Sequence, residues 1–289
     1  LWNGYTFVGT GGISLSEGIK NYVDSNKRFI GVEKWISIDH NRGGNDTMSP
    51  CGPWDLMRIP KYMYYGYESQ RPLEENAYLE AKGIDTGASM FIASSWGETA
   101  PVVDKSEERI GTDEERVIHV YANADRMRLS VIGENGETLW TATQDPYEGG
   151  TASYLEHPPF IFEKVPYTAG SYLKAEGLSE DGQVLMTQER HTAGEPAKLR
   201  LEADFCGMDL VADGSDQVMV YAYVLDEEGN LCQEADNKLY FSVEGEASIV
   251  GDGDRRVGSN PINAEAGITG IMLRSTKTAG EVRIKVQAE

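Results

Sequence analysis

Cysteine is scarce in this chain. Cys51, Cys206 and Cys232 are three in number and far apart, which excludes a disulfide framework or a thiolate metal site and leaves room for one bridge. No stretch reaches the roughly 18 uninterrupted apolar residues of a membrane span. Positive charge is short as well, with 26 Lys and Arg against 47 Asp and Glu and a formal charge of -21. Such a surface repels nucleic acid and anionic membranes, so neither is expected as a partner. The first residues, LWNGYTFVGTGG, contain no Met and lack the charged head and apolar body of a signal peptide. The expectation is a piece of a longer protein.

Familiar catalytic signatures are missing too. There is no Gly-x-Ser-x-Gly nucleophile elbow, and GTGG at 9–12 is not followed by Gly-Lys-Ser/Thr, so it reads as a flexible turn. His40, His119, His157 and His191 form no short His-x-x-x-His pattern, and His119, inside VIHVYAN, reads as a strand histidine. Cys51 and His40 could pair as nucleophile and base, but nothing in the sequence fixes their geometry. GDGD at 251–254 lacks the remainder of a calcium loop and reads as an acidic β-turn. No cofactor and no metal are expected.

What is present is an ordinary globular composition, 40% hydrophobic and 25% charged over 289 residues, enough for two or three domains. Residues 12–70 mix signals. Ser14 stands three before Glu17 as a capping box, with Ile19, Tyr22 and Val23 on one helical face. FIGVEKWISI at 29–38 follows as a strand, and the cluster Asp39-His40-Asn41-Arg42 comes after it. That order is the grammar of an α/β unit, whose binding groups collect at the carboxyl ends of strands. RIPKYMYYGYESQ reads as a helix opened near Pro60, with Tyr64, Tyr65 and Tyr67 as a packing stripe rather than a sugar platform. Residues 72–115 are a junction that includes the strand-like ASMFIASSWGE.

Short β runs fill 116–193: RVIHVYANA, RMRLSVIG, ETLWTATQ, PFIFEKV, SYLKAEGL and QVLMTQER, spaced by ENGE, TAG and EDGQ. Period-2 alternation with a turn every 8–12 residues or so predicts a β-sandwich. TAGEPAKL breaks the pattern, and a second set at 194–289 contains AKLRLEAD, QVMVYAYVLD, LYFSVEG, ASIVGDG, ITGIMLRST and GEVRIKVQA, with DEEGN as a hairpin turn.

The polar cluster after the first strand is the best candidate for a site. An indole at a strand end can stack on the apolar face of a sugar, which makes Trp35 the wall, with Asp39, His40, Asn41 and Arg42 around it. Glycoside hydrolysis needs two carboxyl groups held about 5–9 Å apart. Glu17, Glu33, Asp39 and Asp55 are available in this portion, but spacing pairs none of them, and a whole barrel needs about 250 residues.

RFIGVEKWISIDHNRGG followed by GPWDLMRIPKYMYYGYESQ resembles the end of the catalytic barrel in glycoside hydrolase family 2, the β-galactosidase and β-glucuronidase group. There a last barrel strand ends in Trp and an acid, and a stretch matching Gly52, Asp55, Arg58, Pro60 and Lys61 precedes an aromatic helix ending in SQ. HVYANADRMRLSVIGENGETL and the segments after Leu199 resemble that family's downstream sandwiches, although VIGENGETL and 72–115 depart from its pattern. The resemblance implies a mainly β chain: two tandem immunoglobulin-like β-sandwiches (116–193 and 194–289), preceded by an incomplete α/β remnant of a TIM barrel at 1–71. It implies a carbohydrate substrate held in part by Trp35, Asp39 and His40. The retaining acid/base and nucleophile glutamates would lie upstream, so no catalytic residue is expected here and the chain alone should be inactive. It also implies a secreted or periplasmic parent. A barrel remnant covering its apolar edges in a homodimer is a further expectation. The rival reading is a non-catalytic immunoglobulin-like module that binds a glycan or a protein.

Overall fold

The computed structural model describes residues 38–41, 48–49, 52–54, 57–71, 90–94, 96–97, 112, 114–148, 155–250 and 260–289. The chain divides into two compact units, one of residues 1–38, 50–55 and 60–192, the other of 39–49, 56–59 and 193–289. In chain order a two-residue ladder, β1 (His40–Asn41) with β2 (Met48–Ser49), is followed by helix α1 (Tyr62–Glu68) and strand β3 (Met90–Ile92). The calcium reading of 251–254 lies outside the described residues, as does most of the 72–115 junction.

In the first unit β4 (Glu115–Ala122), β5 (Arg126–Ile132), β6 (Thr138–Gln144), β7 (Phe160–Pro166), β8 (Tyr172–Leu178) and β9 (Val184–His191) join β3 in two antiparallel sheets. Their orders are β3-β4-β7 and β6-β5-β8-β9, so the chain leaves the first sheet after β4, returns for β7 and leaves again. Alternation decides the packing. Ile118, Val120, Phe160 and Phe162 from one sheet meet Met127, Leu129, Val131, Leu173 and Ala175 from the other in one buried cluster, which is a two-sheet sandwich.

β4 is also covered on its other face. Val117 and Tyr121 pack with Tyr62, Tyr65, Phe91 and Leu155, and His119, between them on the same face, is buried. Its backbone N–H donates to Ser94 Oγ at 3.1 Å, while its Nδ1 has no hydrogen-bond partner among the described residues. Burial disfavours the imidazolium and pulls its pKa down to about 4. Arg116, at a bulge in the β4–β7 register, is wholly buried. Its guanidinium donates to the Gly97 carbonyl at 2.9 Å and to that of Thr112 and lies 4.7 Å over the Tyr167 ring. Carbonyl dipoles and a π face thus replace the water this cation has lost.

The second unit repeats the plan. β10 (Lys198–Asp204), β11 (Gln217–Leu225), β12 (Lys238–Gly245), β13 (Ala247–Ile249), β14 (Ile262–Asn263), β15 (Ile268–Ser275) and β16 (Val282–Ala288) form sheets ordered β10-β11-β15-β13 and β14-β12-β16. Val218, Val220, Ala222 and Val224 of β11 pack with Leu239, Phe241, Ile271 and Leu273 between them. The described strands make the chain mainly β, as the alternation requires.

One turn recurs at three places. At 133–136, 179–182 and 226–229 the fourth residue, a glycine with positive φ, donates to the carbonyl of the first. This left-handed position suits glycine because it has no Cβ to clash. These are the ENGE, EDGQ and DEEGN breaks read from the sequence. At the last, Asp226 accepts from Gly194 N–H at 2.9 Å, Asn230 N–H at 2.7 Å and Asn230 Nδ2 at 2.9 Å. Burial of this carboxyl pushes its pKa up, but the amide donors outweigh that and hold it below the usual value.

Two outcomes follow. The folded-state pKa of His119 lies near 4 against an ordinary 6.5, so the unfolded chain takes up the proton first as pH falls. Its contribution is complete above pH 6.5, declines between 6.5 and 4 and is constant below. The whole span is worth ~3 kcal/mol. Urea unfolding of His119→Leu should therefore lose less stability than the parent across that window; parallel pH curves would show that this imidazole titrates normally. Asp226→Ala should lower unfolding stability by about 2–3 kcal/mol, with Asp226→Asn intermediate; a change below about 0.5 kcal/mol in the alanine variant would remove the clasp from the account.

Candidate functional site

The sequence placed the site at Trp35, Asp39 and His40. Trp35 lies outside the described residues, as do Glu17, Glu33, Cys51 and Asp55. Ile38, the last residue of the expected strand, pairs in parallel with Trp54, and Trp54 pairs antiparallel with Pro60. Asp39 follows and is buried. His40 and Asn41 then enter the hairpin ladder, His40 opposite Ser49 and Asn41 opposite Met48. The polar cluster is thus the approach to a hairpin, and the chain returns from it to lie beside the strand end it left.

Beyond the return the backbone is constrained. Arg58 has φ 63°, a left-handed conformation that costs a non-glycine residue about 1–2 kcal/mol. Tyr221 Oη donates to the carbonyl of Met57 just before it at 2.9 Å, and Ile59 just after it is buried. Lys61 N–H donates to the Pro53 carbonyl at 2.9 Å and Tyr64 N–H to that of Lys61 at 2.9 Å, which starts α1. Pro60 therefore precedes the helix cap, Lys61, rather than opening the first turn.

The tyrosines of α1 separate by face. Tyr62 meets Phe91 edge-on at 5.1 Å; Tyr65 stacks on the same ring at 3.7 Å and 3°; Arg190 lies 5.2 Å from its centroid. Of the expected stripe Tyr65 takes part in this core packing, beside Tyr62, which the stripe did not include. Tyr64 turns elsewhere, to Trp54 at 5.0 Å with the rings tilted by 47°. Burial first, then the charge of Glu68 and a hydrogen bond to it, raise the Tyr64 phenol well above its ordinary pKa, so it stays protonated. Glu68 is buried and pairs with Arg71 at 2.7 Å.

The end of the helix explains its SQ. Ser69 Oγ donates to the Gly66 carbonyl at 2.9 Å. Gln70 donates from Nε2 to the His157 carbonyl at 2.7 Å and accepts His157 N–H on Oε1 at 3.1 Å. One side-chain amide thereby pairs with both backbone groups of His157.

Sequence reasoning gave no role to Trp54, to the Gln70 of the quoted SQ or to the buried Arg116, because each acts through a partner distant in the sequence. Among the described residues no group of three or more His, Cys, Asp or Glu could hold a metal ion. Cys206 and Cys232 are free thiols. Burial and then Asp204 push the first up, burial and then Asp226 push the second up, and neither is activated. His191 stacks on Tyr172 at 4.3 Å and meets Glu189 at 3.2 Å on an exposed sheet face. Burial is the main influence lowering the pKa of His157.

Residues 199–289 match the model of the glycoside hydrolase family 2 C-terminal domain 5. A β-galactosidase of Thermoanaerobacter pseudethanolicus is 27% identical over 275 residues, 90% of this chain and 32% of its own length. A β-glucuronidase of Formosa agariphila is 26% identical over 88% of this chain and 23% of its own. Among solved structures, a β-glucuronidase from glycoside hydrolase family 2 superposes with a TM-score of 0.61 at 25% identity, over 88% of this chain and 23% of that one. The chain thus spans less than a third of the curated relatives it matches. The second sandwich thus matches a glycoside hydrolase family 2 C-terminal domain, and most of the chain is similar to part of a β-galactosidase and of a β-glucuronidase, the likeness expected of a carboxy-terminal portion of such an enzyme.

Proposed function

We propose that the chain serves a retaining β-glycosidase, of the β-galactosidase or β-glucuronidase kind, as part of the wall of its sugar site and as scaffold. In this reading residues 1–71 are the last α/β unit of a TIM barrel. Trp35 stacks on the sugar, and Asp39 and His40 supply polar groups at the strand end. The two catalytic glutamates come from outside this chain, so the acid/base and nucleophile steps are not its own. The observation that carries the reading is the parallel pairing of Ile38 with Trp54, with the buried Asp39 next in sequence and helix α1 soon after. Parallel pairing needs a crossover connection rather than a tight hairpin, and binding groups in barrels gather where such strands end. The sandwiches supply rigid support, each with its own core.

The full-length protein should hydrolyse nitrophenyl β-galactoside or β-glucuronide, while the 289-residue chain alone should not. In the full-length protein Trp35→Ala should lower kcat/KM by about 100-fold, ~2.7 kcal/mol of transition-state binding. Turnover by the isolated chain, or an unaltered kcat/KM in the Trp35 variant, would overturn the assignment.

A further inference from the structure

Trp54 is the aromatic residue that the site read from the sequence leaves without a task. The residues around it are consumed by packing: Gly52, Pro53, Ile59 and Tyr62 are buried. Trp54 and Tyr64 stay only half-buried and face each other at 5.0 Å and 47°. Tyr65 already stacks on Phe91, so the Trp54–Tyr64 pair is not needed to complete the buried cluster over β4, and Trp54 is not among its members.

The pair is also held in place. Backbone bridges to Ile38 and Pro60 fix Trp54 from two sides. The Tyr64 phenol is hydrogen-bonded to Glu68, and Glu68 is ion-paired with Arg71 at 2.7 Å. The two rings pack on each other at 5.0 Å and 47°, and each keeps part of its surface exposed. A pyranose ring has a face of C–H groups that complements such an exposed aromatic surface. The place in the chain agrees, since Trp54 lies beside the carboxyl end of the strand expected at 29–38.

We propose that Trp54 and Tyr64 form a second sugar-binding wall, which takes a pyranose unit of the substrate beyond the unit held at Trp35. The inference rests on the reading of residues 1–71 as the rim of a glycosidase barrel. Trp54 supplies the stacking face and is a binding residue, with no part in proton transfer. Tyr64 positions it.

The test is titration of the 289-residue chain with lactose and with methyl β-glucuronide, followed by ligand-observed NMR and tryptophan fluorescence. The parent should bind one of the two, and Trp54→Ala should weaken that binding by roughly 5- to 10-fold. Trp54→Leu keeps an apolar side chain without the π face and should lose the same affinity, which covers the case of an alanine variant that does not fold. Trp54→Phe should retain part of it. Unaltered affinity in the leucine variant overturns the proposal. Loss of binding in Trp35→Ala but not in the Trp54 variants overturns it while leaving the barrel-rim reading intact. Absence of binding by the parent overturns it as well, while activity of the full-length protein tests the glycosidase reading separately.

Discussion

A strand buried on both faces is the constraint on which the first unit depends. β4 sends Ile118 and Val120 into the sandwich core and Val117, His119 and Tyr121 against the residues that cover its other face. A strand in that position has no solvated side for a charge, so its polar residues must stay neutral or bring their own solvation. His119 does the first, its pKa drawn down by burial. Arg116 does the second, with carbonyls and the Tyr167 ring around its guanidinium. The helix follows from the same demand, because the second face of β4 needs an aromatic lid, and Tyr62 and Tyr65 stand three apart on one side of α1 to provide it.

Surface charge does little of this work. Two of the close pairs, Arg128 with Glu176 at 2.7 Å and Lys285 with Glu244 at 2.8 Å, lie on sheet faces with at least one partner exposed. Solvent screens such pairs, so they add little to stability. The large negative charge therefore bears on solubility and on which partners approach, while packing between sheets sets the fold.

The sequence was most legible where local chemistry decides. ENGE, EDGQ and DEEGN turn where their glycines stand. QVMVYAYVLD and ITGIMLRST are strands because alternation gives each an apolar face for the core, and RVIHVYANA is one whose second face is covered as well. Within ASMFIASSWGE the described strand is β3, Met90–Ile92, and its alternation ends at Ala93 and Ser94, both buried. The ladder of β1 with β2 and the two-residue β14 escaped notice because neither is long enough to show a period. At the site, Asp39 was legible as the polar residue after an apolar run. The return of Trp54 to Ile38 was not, because a bridge across sixteen positions leaves no trace in either string. Arg58 was flagged for its motif, but its left-handed backbone, unusual for a residue with a Cβ, had no local signal.

Gln70 and Asn260 share a device. Gln70 gives its amide to both backbone groups of His157, and Asn260 does the same to Phe241 of β12, at 2.8 and 2.7 Å. β14 pairs with β12 only at Lys238 and Leu239, so Asn260 closes the next open rung of that edge. An open rung is a place where a strand from another molecule can add. A side-chain amide fills it and then ends, since it has no further backbone to offer. Asn260 thus acts as a chain terminator for growth of that sheet, and resistance to edge-to-edge association is written into a single amide as well as into net charge.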